Sequence, residues 1–468
     1  MRVLLVQHAS ENTEAYPLGL GIVAAALLEA GHEVDFIDLA LAPGDPLAML
    51  AERAGGGEVE ALGFTLLTPQ YGEFLHLAHR FRSLRPGIPI VAGGPHAQAL
   101  PEETLRDKGA DVAVLAEGER VAPRLFEALA RGSGLEEVEG IAFLEPEGTF
   151  RMTAPAPQVA DLEAVPYPPW ELIRPDRYPG RYHGQRYANV LTSRGCPYRC
   201  VYCHRGPTGG RRVRMRSIAH VLGEVRRLHR DFGIGAFGFR DDIFTFDRAR
   251  TWALCDALLA EPGRIYWNCE TRVDRVDREL LAQMRRAGCI CVDFGIESGS
   301  DEILRRLRKQ ATVAQARAAL RYCREVGMPT RAFYLIGTPW ETPQTLEETI
   351  TFAKETKATM SFFFLATPYP GTELREAFLE AGWPIPDDYA RYRHHVEGRD
   401  FEWGAPADGD KNPQRFFAAE CRRATRAVVR AQLADIPGYP ALLRAYFTRF
   451  TLGEFGARVR ERLRRAFL

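Results

Sequence analysis

The chain has 468 residues, with 61 Lys and Arg balancing 61 Asp and Glu and 46% of its residues apolar. That length predicts two or three domains with ample core, and the zero formal charge gives no global case for binding nucleic acid or an anionic membrane. No stretch of about 18 apolar residues exists, so no transmembrane segment is expected; the apolar run in MRVLLVQHAS is too short for a secretory signal, which points to a cytoplasmic protein.

The first third of the chain alternates short apolar runs with helical patterns. VLLV (3–6) reads as a buried strand, LGIVAAALLEAG as a helix closed by Gly31, and HEVDFIDL as a second strand. ALGFTLL is a third strand, followed by a helix through HLAHRFRSLR; IPIVAGGPH is a fourth, ending in a Gly-Gly turn; ADVAVLAEGE is a fifth. Such alternation implies βαβ units and a parallel sheet covered on both faces. Residues 1–145 are therefore expected to form a flavodoxin-like (Rossmann-type) doubly wound domain. Its ligand site should lie beyond the carboxyl ends of the strands, where strand order reverses.

Residues 146–186 are Pro-rich and read as a linker that packs by Tyr167 and Trp170. Over 187–375 the alternation resumes as six β/α units, too few for an eight-fold barrel but right for a partial (β/α)6 barrel. Residues 376–468 look mostly helical and arginine-rich. They end in GEFGARVRERLRRAFL, a basic amphipathic pattern that reads as a solvated helix packed on the barrel.

Three of the nine cysteines crowd into SRGCPYRCVYCHR as Cys196-x3-Cys200-x2-Cys203. In a large chain without an export signal, such crowding favours metal or catalysis over disulfides. Three thiolates can hold three corners of a [4Fe–4S] cube and leave the fourth iron open for a chelating substrate. A structural zinc site, completed by His204 or a distant Cys, is the plainer alternative. Cys255, Cys269, Cys289, Cys291 and Cys323 fall on helix or strand patterns and read as core residues. The basic run RRVRMR (211–216) reads as a solvated loop.

The cysteine spacing at the end of a first strand, with Tyr202 just before the last Cys, resembles the radical S-adenosylmethionine (SAM) superfamily. The order of later segments is similar too. GIESGS, with Glu297 and Ser298, resembles the segment that meets the SAM ribose and carboxylate. Asp241 and Asp242 of RDD resemble the position that meets the SAM amino group, although the Gly-Gly-Glu used there by some members is absent; either aspartate could instead cap the next helix. Gly337 of FYLIGTPWET resembles the segment that passes the adenine. Arg331 reads as a carboxylate clamp for SAM or, equally, as a structural ion pair.

A doubly wound domain ahead of such a barrel resembles the cobalamin (B12)-binding branch of this superfamily. The residues that carry the likeness are GGPHA, with Gly93, Gly94, Pro95 and His96, and AEGE, with Glu117 and Gly118. Thr65 and Thr68, just past the third strand, are placed to hydrogen-bond a cobalamin tail, and paired glycines let backbone approach a bulky ligand. The Asp-x-His-x-x-Gly signature is absent: His8 follows the first strand, but no Asp precedes it correctly and Glu11 replaces the Gly. Cobalamin is therefore expected without a histidine ligand.

The resemblance implies three cofactors: a [4Fe–4S] cluster, SAM and cobalamin. It implies a C-methyltransferase that acts on an unactivated carbon through a 5′-deoxyadenosyl radical and methylcobalamin. It also implies a small-molecule substrate of unknown class and an electron donor such as flavodoxin or ferredoxin. A cobalamin-binding radical SAM enzyme that performs a non-methylating cyclisation or rearrangement is the alternative, and the residues do not separate the two. No His/Asp or Ser/His arrangement suggests a catalytic residue beyond the cluster.

Overall fold

The computed structural model describes residues 1–8, 16–41, 44–55, 58–204, 210–392 and 413–434. Its first sheet has seven strands: β1 (Arg2–Gln7), β2 (Glu33–Asp38), β3 (Ala61–Thr65), β4 (Ile90–Gly93), β5 (Val112–Val114), β6 (Ile141–Leu144) and β7 (Phe150–Met152). They run in the order β2-β1-β3-β4-β5-β6-β7. The first five are parallel, and β6 and β7 are antiparallel additions. Val3 to Val6 are all buried, as a strand covered on both faces must be. On one face Val3, Leu5, Ala61, Val91 and Val112 pack with Leu20 and Phe126 of helices Leu18–Glu29 and Gly118–Arg131. On the other, Leu4, Val6, Leu62 and Phe64 pack with Phe74 and Phe81 of helix Tyr71–Leu84. Strand order reverses between β1 and β3, which opens a crevice at their carboxyl ends.

The hairpin β6–β7 carries this sheet past residue 145. Its strands are four and three residues long, too short to show a period. The Pro-rich segment that follows is a packed strap. Trp170 is fully buried, with Tyr16 edge-on at 4.9 Å. The Tyr178 hydroxyl donates to the Asp38 carboxylate at 2.8 Å, and the Tyr16 hydroxyl to the Asn189 carbonyl. The strap thereby ties the two sheets together.

The second sheet comprises β8 (Arg181–Tyr182), β9 (Gln185–Val190), β12 (Ile234–Phe239), β13 (Tyr266–Thr271), β14 (Cys289–Glu297), β15 (Thr330–Ile336) and β16 (Met360–Leu365). A short ladder of β10 (Ser193–Arg194) with β11 (Arg214–Met215) stands apart. All strands from β9 to β16 in this sheet are parallel, and β8 is an antiparallel edge. Six parallel strands with helices outside form a half-barrel. Each long outer helix begins at a side chain that accepts from the N–H three residues on: Ser217, Asp247, Asp277, Thr312 and Thr342. Such caps satisfy amides that a helix start leaves open. Helix Pro413–Ala434 adds Phe417, Cys421, Ala424 and Val428 to the barrel's outer core. The basic pattern at 453–468 lies outside the described residues, and among those described no helix is long and apolar enough to cross a membrane.

Candidate site at the domain junction

The strand β9 delivers the chain to Arg194, Gly195 and Cys196 at the carboxyl end of the barrel sheet. Cys196 and Cys200 are half-buried, Cys203 is exposed, and none is in a disulfide. The loop is anchored on three sides. The Val201 N–H donates to the Leu307 carbonyl at 3.1 Å, and the Val201 carbonyl accepts from the Leu374 N–H at 2.9 Å. The Tyr198 ring lies under the Arg272 guanidinium at 3.5 Å, and its hydroxyl bonds Asp274 and Arg275. The Tyr202 hydroxyl donates to the Glu297 carboxylate at 2.9 Å, where Lys309 also donates at 2.7 Å. Burial, reinforced by Glu297, holds the Tyr202 phenol far above its ordinary range. Among the described residues no three His, Cys, Asp or Glu side chains converge on one point, as ligands of a single ion do. A [4Fe–4S] cube asks for something else, each thiolate on its own iron, and three partly accessible thiols on one braced loop suit that donor set.

Against this loop opens a cavity of about 400 Å³ that reaches into the first domain. Its depth is apolar, formed by Leu5, Leu20, Val91, Val114 and Phe126, and its mouth is polar, formed by Thr65, Gln98, Glu117, Arg194, Arg240 and Asp242. Glycines let its wall pack closely. A Cβ on Gly94, whose φ is +91°, would lie 2.9 Å from the Leu66 backbone and the Thr65 hydroxyl; one on Gly63 would lie 2.7 Å from the Leu5 side chain. An apolar shaft with a polar rim suits a large ligand with a tail, and cobalamin fits that description.

The mouth is locked by charge. The buried Glu117 carboxylate accepts from Arg214 at 2.8 and 3.0 Å, from Arg194 at 3.3 Å and from the Val159 N–H at 2.6 Å. Burial alone would raise this carboxyl, but Arg214, Val159 and Arg194 outweigh it and hold it below the ordinary range. Arg194 also pairs with Glu119. The first domain thus grips the residue two places before Cys196.

The residues singled out from the sequence divide in this geometry. Thr65, Gly93, Gly94, Pro95, Glu117, Gly118 and Asp242 line the cavity. Thr68 and His96 do not: the buried His96 ring packs 4.1 Å from Tyr71 and 5.1 Å from Tyr389, with Nδ1 3.4 Å from the Thr68 hydroxyl. Burial drops the His96 pKa to about 4. These two residues belong to a contact between the first domain and the segment at 389–392, which corrects their reading as cobalamin contacts. His8 is fully buried between Phe64 and Phe74 and is not on the cavity wall.

Asp241 and Asp242 separate sharply. Asp241 is turned inward and accepts from the Thr192 N–H at 2.7 Å, the Thr192 hydroxyl at 2.5 Å and the Ser193 hydroxyl at 2.7 Å. It braces the strand end below the cysteines, so the reading of Asp241 as a SAM contact gives way to a structural one. Asp242 is exposed and accepts from the Gly195 N–H at 2.9 Å. Neither caps the next helix; Asp247 does. Glu297 has φ +67° at the end of β14. Ser298 is buried, bonded to the Thr349 hydroxyl at 2.9 Å, and supports the Glu297 turn from behind. Gly337 also has positive φ, and its N–H donates to Glu341 at 2.5 Å. Arg331 makes a two-pronged pair with Asp293, so its fork is spent and the carboxylate clamp is corrected to an ion pair. The solvated reading of 211–216 holds for Arg211 and Arg212 but fails for Arg214 and Arg216, which are buried against Glu117 and Glu224. Lys309 and Arg240 were not singled out; Lys309 follows the short helix Asp301–Arg306 and Arg240 follows the fully buried β12, and their partners Tyr202 and Asn189 lie far along the chain.

Comparison with known proteins agrees with both halves of this geometry. Residues 190–353 match the radical SAM superfamily, and residues 8–126 match the B12 binding domain. The chain is 32% identical over 384 residues to an uncharacterized methyltransferase of Pyrococcus horikoshii, covering 80% of this chain and 83% of that one. It is 30% identical to the anaerobic magnesium-protoporphyrin IX monomethyl ester cyclase of Cereibacter sphaeroides, covering 80% of this chain and 62% of that one. The fold is similar to that of the radical S-adenosylmethionine methyltransferase TsrM from Kitasatospora setae with cobalamin and a [4Fe-4S] cluster bound. That likeness has a TM-score of 0.68 and 23% identity, covering 82% of this chain and 79% of the other.

Proposed function

This chain belongs to the cobalamin-binding radical SAM family, and from that premise we propose that it methylates an unactivated carbon of a small molecule at the junction of its two domains. One observation carries the reading. The cavity at the carboxyl ends of the first sheet ends on Arg194, Gly195, Arg240 and Asp242, immediately beside Cys196. When bound, the cluster with SAM supplies a radical that removes a hydrogen atom, and cobalamin supplies the methyl group.

The chain's own part is placement. Cys196, Cys200 and Cys203 hold the cluster. Asp242, Glu297 and Gly337 lie around the same strand ends and form the SAM side, with Ser298 bracing Glu297. Thr65, Gly93, Gly94, Pro95, Glu117 and Gly118 form the cobalamin side. The Glu117–Arg194–Arg214 lock keeps the two sides in register, since small misplacements of reacting groups cost large factors in rate. The apolar shaft keeps water from the reacting centre. No protein acid or base is assigned. A flavodoxin or ferredoxin as electron donor and a cytoplasmic location belong to the same reading.

The test is product mass. The reduced holoenzyme with SAM and its substrate should give a product heavier by about 14 Da, one CH2, formed with 5′-deoxyadenosine. The identity with the cyclase favours the alternative of ring closure or rearrangement, in which 5′-deoxyadenosine forms with no such gain.

A further inference from the structure

Among the described residues Lys309 is the one buried lysine, at 6% exposed. Burying an ammonium is costly unless it is paired. Its pair is Glu297 at the end of β14, 2.7 Å away. Lys309 Nζ also donates to the hydroxyl of Tyr202, the residue before Cys203, at 3.2 Å. That hydroxyl donates in turn to Glu297 at 2.9 Å. Both donors meet one carboxylate oxygen, Oε1. Among the described residues no hydrogen bond reaches Glu297 Oε2.

The backbone is bent to make this contact. Glu297 has φ +67°, and the residues on either side of Lys309, Arg308 and Gln310, have φ +51° and +52°. Such strain persists only where the surroundings over-determine it, and it gathers at sites of function. Gly295 leaves the room: a Cβ there would press on the Glu297 carboxylate and lie 2.9 Å from Lys309 Nζ. A compact ammonium suits that gap better than a planar guanidinium. The turn that carries Lys309 also holds the cysteine loop by its backbone, since the Leu307 carbonyl accepts from the Val201 N–H at 3.1 Å. One turn thus grips the loop at Val201 and Tyr202 and the strand end at Glu297.

We propose that Lys309 is a positioning residue for SAM: it pins Oε1 of Glu297 against Tyr202 and leaves Oε2 to accept from a ribose hydroxyl of SAM. The inference rests on the reading that puts SAM beside Glu297. Because Lys309 acts through Glu297, losing either or both should cost SAM affinity once.

The test is calorimetric titration of SAM into the holoenzyme without reductant, with iron counted on the same sample. Lys309→Met should keep about four iron per chain and weaken SAM binding at least about tenfold, and Glu297→Gln should do the same. The double variant should bind no more weakly than the weaker single variant, whereas independent losses would multiply. Tyr202→Phe keeps the ion pair and should lose less than Lys309→Met. Arg308→Gln, on the same turn but paired with the exposed Glu373, should stay within about twofold of the unaltered chain. With reductant added, the Lys309→Met loss should fall on the KM for SAM cleavage and leave kcat intact.

Unchanged affinity in Lys309→Met, multiplied losses in the double variant, a loss in Tyr202→Phe as large as in Lys309→Met, an equal loss in Arg308→Gln, iron lost together with SAM, or a loss carried by kcat would each overturn the proposal. Lys309→Gln stands in for a Met variant that does not fold; failure of both would make Lys309 a stability residue and overturn the positioning role too. Unaltered holoenzyme that binds no SAM would sink the proposed function. SAM bound by the unaltered chain and equally well by Lys309→Met would sink this inference alone.

Discussion

The cysteine loop and the cavity of the first domain lie against each other yet are built in opposite ways. The loop works by what its side chains contribute: three thiols, with Tyr198 and Tyr202 tied to Arg272, Glu297 and Lys309. The cavity works by what is missing, since Gly63 and Gly94 stand where a Cβ would press on Leu5 or the Leu66 backbone. A site of donors is lost by deleting one of them. A site of absences is lost by adding bulk. The two failures should be separable in one molecule.

The largest effect should come from the loop. Cys203→Ala should lower iron from about four per chain toward none and abolish 5′-deoxyadenosine formation, while cobalamin still binds the first domain. Cobalt lost together with iron would break the contrast. Next comes the lock between the regions. Glu117→Gln leaves Arg194 and Arg214 buried against a neutral amide, and losing one partner of such a cluster costs about 3–5 kcal/mol, readable by urea unfolding. Both metals should then fall. A Gly94→Val variant adds bulk at φ +91°; it should cost about 1–3 kcal/mol and reduce cobalt at least severalfold, with iron unchanged.

The smallest effect is a pH slope at Glu341, beside Gly337. Burial raises its carboxyl from the ordinary 4.5 to about 7, against hydrogen bonds from the Gly337 and Thr338 N–H groups. The folded chain therefore keeps a proton that the unfolded chain has lost. This contribution is fully present below about pH 4.5 and fades as pH rises to about 7. Glu341→Gln should remove that slope from the pH dependence of urea unfolding; a slope that persists would show that another group carries it.

The two regions also differed in how openly the sequence spoke. Cys196-x3-Cys200-x2-Cys203 is local, so its spacing pointed to a metal site and its resemblance to the radical SAM superfamily to a cluster, and the alternation of apolar runs was enough to place both sheets. Glycines that let a cavity wall pack closely look like any other glycines until the partner atoms are in place. Charge partnerships were the least legible. Arg214 and Arg216 sit in a basic run, yet Glu117 lies 97 residues from Arg214, a distance no pattern spans. The same holds for Arg331 and Asp293, paired across neighbouring strands 38 residues apart, and for Asp241, whose partners Thr192 and Ser193 belong to another strand end. Thr68 and His96 fell on the expected side of the first sheet but turn into a contact with Tyr389 that closes only in three dimensions.

The most direct test of the central claim, that a cluster and cobalamin meet at one junction, is metal content. Protein reconstituted without oxygen, supplied with hydroxocobalamin and freed of excess, should carry about four iron and one cobalt per chain. Four iron without cobalt would contradict the cobalamin half of the account, and zinc in place of iron would contradict all of it.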